Sequence, residues 1–395
     1  MYTVHIYFLR YSCKYKNIMY NYMQEIFVGA LIIMNLNFNN GKFKIMQIAD
    51  IQEDVPHNPD TVKLIEFALE KEKPDLVVFT GDQIQGYSPC YLQDAEKKAE
   101  ICIDTFLEPL VKRNIPFVFT FGNHDDDCKV SKAAQLDFYG KHLNCVKPLD
   151  GDRLDDGTYT VRIKSSDGEK DVLALYLIDT GKKGSDGAYE PLSKERIEWL
   201  GKAREKNGYL PAMIFQHIPC PEFYEVIKKV PFYTKGAVEG FRSRKGYYLL
   251  ENPAKGEFMK ENPASPEINN GEFDEIIKHD DIFALYVGHD HINSFSRVLK
   301  GVTLGYTQGA GFNTYGPGKN RGVRIFVLDE NNVKDFETYT VTMGELCDFR
   351  PSAPIKEFIF THSPTSVDQG VSIAKKVAIT GTALAVAIKL IKKLK

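Results

Sequence analysis

Five short polar clusters each follow an apolar run: Asp50 with Gln52; Asp82 behind Gly81; Asn123, His124 and Asp125 behind Gly122; His217; and His289 with His291 behind Gly288. Carboxylates, an amide oxygen and imidazoles are the donors that suit divalent manganese, iron, zinc or nickel. The residue types therefore point to metal binding, and these clusters take four of the nine histidines. His5, His57, His142, His279 and His362 are left with ordinary structural expectations. The seven cysteines are odd in number and widely spaced, with no C-x-x-C pair. Neither a disulfide scaffold nor a zinc knuckle is indicated, and a reducing, cytoplasmic compartment is the expectation.

For these clusters to act together, the chain must bring them to one place. Residues 44–49 read as a buried strand ending at Asp50. Residues 76–80 are a continuous apolar run, as in a strand covered on both faces, ending at Gly81 and Asp82. A third strand, 116–120, ends before Gly122. Asn58 followed by Pro59 and Asp60 marks a helix start, and a second helix is expected from about 92 to 113. Strand and helix alternate, so the expected class is α/β. Further strands are expected at 159–163, 172–178, 212–216, 282–287, 303–306 and 323–328. In open α/β sheets the C-terminal strand ends form the ligand crevice. All five polar clusters sit at such ends. The long polar stretch 218–271 reads as an insertion, either a functional lid or a disordered segment.

The series A-D-I-Q (residues 49–52), G-D (81–82), G-N-H-D (122–125), His217 and G-H-D-H (288–291) resembles the calcineurin-like metallophosphoesterase superfamily from residue 44 to about 328. S-P-E-I-N-N-G (265–271) and G-A-G-F-N-T-Y-G-P-G (309–318) resemble its branch related to the purple acid phosphatases. The resemblance implies a four-layer α/β/β/α sandwich and two adjacent divalent metal ions. Asp82 would bridge them, Asp50 and His291 would complete one site, and Asn123, His217 and His289 the other. The family pattern is Asp-x-His at the first motif, and here the second ligand position is Gln52. A neutral amide is a poorer donor than imidazole, so the first metal is expected to bind more weakly or to keep a water there. The tyrosine expected three residues after the bridging Asp is replaced by Gln85, so the tyrosinate colour of purple acid phosphatases is not expected.

Two cations about 3.5–4 Å apart would clamp phosphoryl oxygens and acidify a bridging water, whose hydroxide attacks phosphorus in line. The leaving oxygen then needs a proton. His124, beside Asn123 but outside the implied ligand set, is the candidate donor, with Asp125 orienting its ring. The expected activity is hydrolysis of a small phosphate ester. A phosphodiesterase acting on a nucleotide or lipid headgroup is the rival within enzymes, and a metal-binding scaffold or pseudoenzyme is the rival class, supported by Gln52. Asp290 and Asn293 read as loop hydrogen-bonders, Arg321 and Arg324 as phosphate contacts, and Phe223, Tyr224 and Tyr233 as a wall for the leaving group or as loop packing.

The 395 residues carry a formal charge of −3. That balance argues against a generally basic nucleic-acid binder, yet it conceals an uneven spread. Residues 1–33 carry +2, residues 371–395 carry six lysines and no acid, and the body between them carries −11. Four segments are expected: an N-terminal extension at 1–33, with Met34 as an alternative start; the catalytic domain at 34–345; a linker at 346–370; and a basic, apolar helix at 371–395. About 15 apolar residues in that last helix span about 22 Å, short of a membrane core of about 30 Å. A surface helix drawn to anionic lipid is one expectation, and a self-packed terminal helix is the other.

Overall fold

The computed structural model describes residues 36–364 and Gly370. The expected N-terminal extension and the basic C-terminal helix lie outside the described residues. The chain opens with β1 (Lys42–Ile48), α1 (Pro59–Glu72), β2 (Leu76–Thr80), α2 (Ala95–Lys112) and β3 (Phe117–Thr120). Asn58 caps α1, its side chain accepting from the Asp60 N–H at 3.0 Å, and Pro59 occupies the first turn, where no N–H partner is needed. Next come α3 (Lys132–Gly140), β4 (Arg153–Asp155), β5 (Thr158–Lys164), β6 (Asp171–Ile178), α4 (Lys194–Lys206) and β7 (Ala212–Gln216).

The insertion holds β8 (Lys228–Val230), β9 (Val238–Glu239), β10 (Tyr247–Leu249) and β11 (Phe258–Met259). The rest comprises α5 (Glu272–Ile276), β12 (Ile282–Val287), β13 (Asn293–Leu299), β14 (Val302–Tyr306), β15 (Gly322–Asp329), β16 (Glu337–Thr342), α6 (Met343–Leu346) and α7 (Pro354–His362).

Two sheets face each other. One has the order β16-β15-β1-β2-β3 and the other β11-β13-β14-β12-β7-β6-β5-β4. Alternation along β1 and β2 assigns the layers. Phe43, Ile45, Leu76 and Val78 pack between the sheets with Leu175, Leu177, Phe215 and Tyr286. Met46, Ile48, Val77 and Phe79 turn outward onto Leu64, Leu69, Ile103 and Phe106 of α1 and α2. On the far side, Leu200 and Ala203 of α4 cover Ala174, Tyr176 and Ile214. Strands covered on both faces read as unbroken apolar runs for this reason. The result is the four-layer α/β/β/α sandwich.

Three expectations change. The insertion is an ordered small sheet, with β10 paired to β8 and β9, rather than a disordered segment. Residues 346–364 are not a bare linker, because α7 is fastened to the body: Arg321 pairs with Glu357 at 3.5 Å, and Lys356 Nζ donates to Asn313 Oδ1 at 2.6 Å. Helices α3 to α7 and strands β4, β13 and β16 are further elements the sequence reading does not contain. Among the described residues no helix is long and apolar enough to cross a membrane.

Candidate metal centre

The C-terminal ends of β1, β2 and β3 in one sheet and of β7 and β12 in the facing sheet meet at the same end of the sandwich, as their polar clusters require. The turns there are tight. Asp50, Asp82 and His289 all have positive φ, and a Cβ on Gly288 would come within 2.6 Å of Asp50 Oδ2. The glycine of G-H-D-H is thus what lets the β12 end press against the first carboxylate. The His289 N–H donates to that same Oδ2 at 2.9 Å, and the His124 N–H donates to Asp82 Oδ1 at 2.8 Å.

Asp82, His217 and His289 each offer a ligand atom within 4.8 Å of the other two. The histidine ring nitrogens are sorted by their second partners. His217 Nδ1 meets Thr80 O at 2.9 Å, which spends its proton there and turns the Nε2 lone pair toward Asp82 Oδ2 at 3.3 Å and His289 Nδ1 at 3.1 Å. His291 repeats the arrangement, with Nδ1 on Tyr315 O at 2.9 Å and Nε2 3.3 Å from Asp50 Oδ1. Fixing a ring through one nitrogen while presenting the other is how metal-ligating histidines are held.

Lone pairs facing carboxylate oxygens repel unless a cation or proton lies between them. Burial works against charge on His217, yet Asp82, with Asp50 behind it, raises its pKa to about 10. His291 is also raised, by Asp50 against the cost of burial. Burial alone would raise Asp82, but His217 and His124 hold it well below the usual carboxylate range. His289 is held neutral by burial and by His217. Two buried acceptor oxygens at the edge, Asp50 Oδ1 and Asn123 Oδ1, have no hydrogen-bond partner. Unpaired buried acceptors beside crowded carboxylates and imidazoles are the pattern that divalent cations satisfy, so the donor set fits them.

Two implied roles are corrected. Asp125 does not orient His124. Its carboxylate accepts from the backbone N–H groups of Asp82, Ile84 and Gly122 at 2.9, 3.0 and 2.7 Å, locking the β2 and β3 ends together. The residue on the His124 ring is Asp127, at 2.7 Å from Nδ1. Gln52 does not present its oxygen as a ligand: its Nε2 donates to Asp82 Oδ2 at 3.0 Å, and its Oε1 accepts from Tyr87 OH at 3.0 Å. Arg321 and Arg324 are buried clamps rather than phosphate contacts, Arg321 on the carbonyls of Gly311, Thr314 and Tyr315, and Arg324 on Tyr306 O and Ser294 Oγ. Phe223 and Tyr224 are buried and Tyr233 is exposed. Asp290 accepts from the Ala264 N–H and Tyr306 OH, as the loop hydrogen-bonder expected, while Asn293 Oδ1 accepts from the Lys260 N–H from the first position of β13 rather than from a loop.

Several residues at the site were not singled out in the sequence. Three tyrosine rings pack on its histidines: Tyr87 on His124, Tyr189 on His289 and Tyr315 on His291, with centroids 4.8, 4.6 and 4.2 Å apart. Glu261 accepts from the Ile292 N–H and from Tyr315 OH, bracing the His291 loop. Asp127 was in plain view, three residues after His124 in an unbroken run of acids.

A model of the family described as calcineurin-like phosphoesterase matches residues 43–293. The "Probable inactive purple acid phosphatase 29" of Arabidopsis thaliana is 29% identical over 333 residues, covering 74% of this chain and 78% of its own length. The "Phosphatase DCR2" of Saccharomyces cerevisiae is 26% identical over 348 residues, covering 79% of this chain and 56% of its own. Among solved structures, a dimetal phosphatase from Danio rerio is similar with a TM-score of 0.47 at 14% identity, over 76% of this chain and 99% of that one.

Proposed function

The chain belongs to the calcineurin-like phosphoesterase family, and on that premise we propose that it is a metal-dependent hydrolase of small phosphate esters. The observation that carries this is the convergence of Asp82, His217 and His289 on one point, with the Asp50–His291 pair beside it. Asp82 would be shared by two divalent cations, Asn123, His217 and His289 would hold one, and Asp50 and His291 the other. When bound, such a pair supplies Lewis-acid activation of the phosphoryl group and of the attacking water. Asp125 keeps the β2 and β3 ends in register, so that Asp82 and Asn123 stay aligned. Gln52 fixes the Asp82 carboxylate by donating to Oδ2.

His124 is the proton donor to the leaving oxygen. Its side chain is 28% exposed, so it faces the solvent side from which an ester would enter. Burial disfavours its charge, but Asp82 and the Asp127 hydrogen bond outweigh that and raise its pKa. With Nδ1 engaged by Asp127, Nε2 is the nitrogen left to give its proton to the departing alcohol.

The test is turnover of p-nitrophenyl phosphate and of its bis ester by the full chain supplied with manganese, zinc, nickel or iron. Activity that falls by at least about a hundredfold in His124→Ala supports the reading, and equal residual activity in the variant points to a contaminant. Faster turnover of the bis ester would favour a phosphodiesterase. A second reading, a metal-binding scaffold without turnover, is favoured by the Gln52 amide being turned away from ligation and by the name of the Arabidopsis relative. Tight metal binding with no hydrolysis of either ester would establish it.

For location, we propose a reducing, cytoplasmic setting with attachment to anionic membrane through residues 371–395. The odd number and wide spacing of the seven cysteines motivate the first part, and the six lysines of the C-terminal segment motivate the second. Flotation with phosphatidylserine vesicles should weaken when 371–395 is deleted, and unchanged flotation would dismiss the attachment.

A further inference from the structure

Of the three tyrosines on the histidines, Tyr189 is buried, Tyr315 is half-buried, and Tyr87 is 51% exposed. Tyr87 packs at 71° against His124, the residue that would face the departing group. Its position is not left to chance. The hydroxyl donates to Gln52 Oε1 at 3.0 Å and accepts from Gln85 Nε2 at 3.2 Å, and Gln85 is itself anchored on Asn313 O at 3.1 Å. Gly86 allows the loop to press onto residues 124–128, because a Cβ there would collide with the His124 carbonyl and crowd Cys128 N at 2.8 Å. A large aromatic surface is thus held rigid beside the proton donor with half its area in solvent. Side chains kept exposed at the cost of apolar hydration, yet fixed by hydrogen bonds, are pre-organised to receive a ligand face.

Resting on the hydrolase reading, we propose that Tyr87 forms a leaving-group subsite selective for esters whose alcohol is aromatic, with the departing ring packing on the open part of the tyrosine while His124 protonates its oxygen. Bond by bond, the P–O bond to the aryl oxygen breaks and the His124 proton passes to that oxygen; water forms the new P–O bond, one of its protons stays on the phosphate product, and the other returns through solvent to His124. Neither Tyr189 nor Tyr315 can serve this way, since each is packed behind a histidine of the ligand group rather than beside His124.

The experiment compares full-length wild type, Tyr87→Phe and Tyr87→Leu, each with manganese, on phenyl phosphate and glycerol phosphate. The phenyl-to-glycerol ratio of kcat/KM should fall about three- to tenfold in Tyr87→Leu, the size of one aromatic pair, and stay within about twofold of wild type in Tyr87→Phe, which keeps the ring. Comparing the ratio between variants cancels the better leaving ability of phenol, and damage to His124 would raise the ratio, because the poorer glycerol leaving group depends more on the donated proton, so a fall reads the subsite. A ratio unchanged in Tyr87→Leu overturns the subsite, as does an equal fall in Tyr87→Phe, which would assign the effect to the hydroxyl and Gln52. If wild type hydrolyses neither ester, the hydrolase reading fails, and calorimetric binding of phenylphosphonate against methylphosphonate decides the subsite on its own. A preference for the phenyl compound that disappears in Tyr87→Leu supports it, and equal affinity in wild type overturns it.

Discussion

On the Asp82 side of the candidate metal centre, a carboxylate and two imidazoles offer ligand atoms within 4.8 Å of one another, with the Asn123 oxygen unpaired nearby. On the Asp50 side, one carboxylate faces one imidazole at 3.3 Å, and the third position is held by an amide whose nitrogen points at Asp82. Each half has a histidine fixed in the same way, since His217 and His291 each spend Nδ1 on a backbone carbonyl at 2.9 Å. The difference lies in donor count. A cation on the Asp82 side would be held by protein alone, while one on the Asp50 side would rely more on water and substrate oxygens, as weakly held catalytic cations commonly do.

On the proposed reading Asp82 is shared by both halves, so Asp82→Asn should do the most damage. Loss of the shared negative charge is expected to lower kcat/KM by at least about a thousandfold and to remove bound metal from both positions. Steady-state kinetics with metal content by plasma mass spectrometry would show this. Retention of one equivalent of metal would mean that the halves bind independently. Next in size is Asp125→Ala. Removing a buried carboxylate that accepts three backbone N–H bonds leaves three donors unpaired, a cost of about 3 kcal/mol or more. Urea denaturation of the metal-free protein would measure it, and a change under about 1 kcal/mol would show that Asp125 is not what ties the two strand ends.

Gln52→His tests the comparison most directly. It restores an imidazole to the poorer half and should tighten the second equivalent of manganese by about ten- to a hundredfold while leaving the first unchanged, as read by calorimetric titration. Tightening of both together would mean that the amide had been disturbing Asp82 rather than leaving the other half short of a donor.

The better part of this site was legible because its residues follow apolar strands whose covered faces suppress alternation, so that a polar residue at the end of each run stands out. The Asn58 cap and Pro59 fixed the start of α1 in the same local way. What failed to show was decided by contacts distant in sequence. Three consecutive acids follow His124, and only the packing of β2 against β3 turns Asp125 to the backbone and leaves Asp127 for the ring. The direction of the Gln52 amide is set by Tyr87, 35 residues on, in a loop with no motif. Arg321 looked like a phosphate contact because an arginine near a glycine-rich run has that chemistry, but it is consumed by carbonyls of that same run. The α7 segment follows the motif region, and its docking rests on pairs such as Arg321–Glu357, which no local pattern announces.

The smallest effect concerns how the stronger half is supported. Gln216, immediately before His217, donates through Nε2 to Glu272 Oε1 at 2.8 Å and to Ile218 O at 2.9 Å. Burial, with Glu222 adding to it against the Gln216 bond, pushes the Glu272 carboxyl up to about 7. Its unfolded value is 4.5, so between these pH values the folded chain holds a proton that the unfolded chain has lost. Stability from this group is therefore full below pH 4.5 and is lost as pH rises through about 7. Between pH 5 and 7 the loss should be on the order of 1–2 kcal/mol, and Glu272→Gln, which keeps the shape and the acceptor without the charge, should abolish that part of the slope. Urea midpoints of both proteins at the two pH values would decide it, other titrating groups cancelling in the difference. If the slopes coincide, the carboxyl is ionised in the folded state and His217 is supported from beneath by a charge; if they diverge as expected, the donor-rich half of the centre stands on a neutral hydrogen-bonded brace.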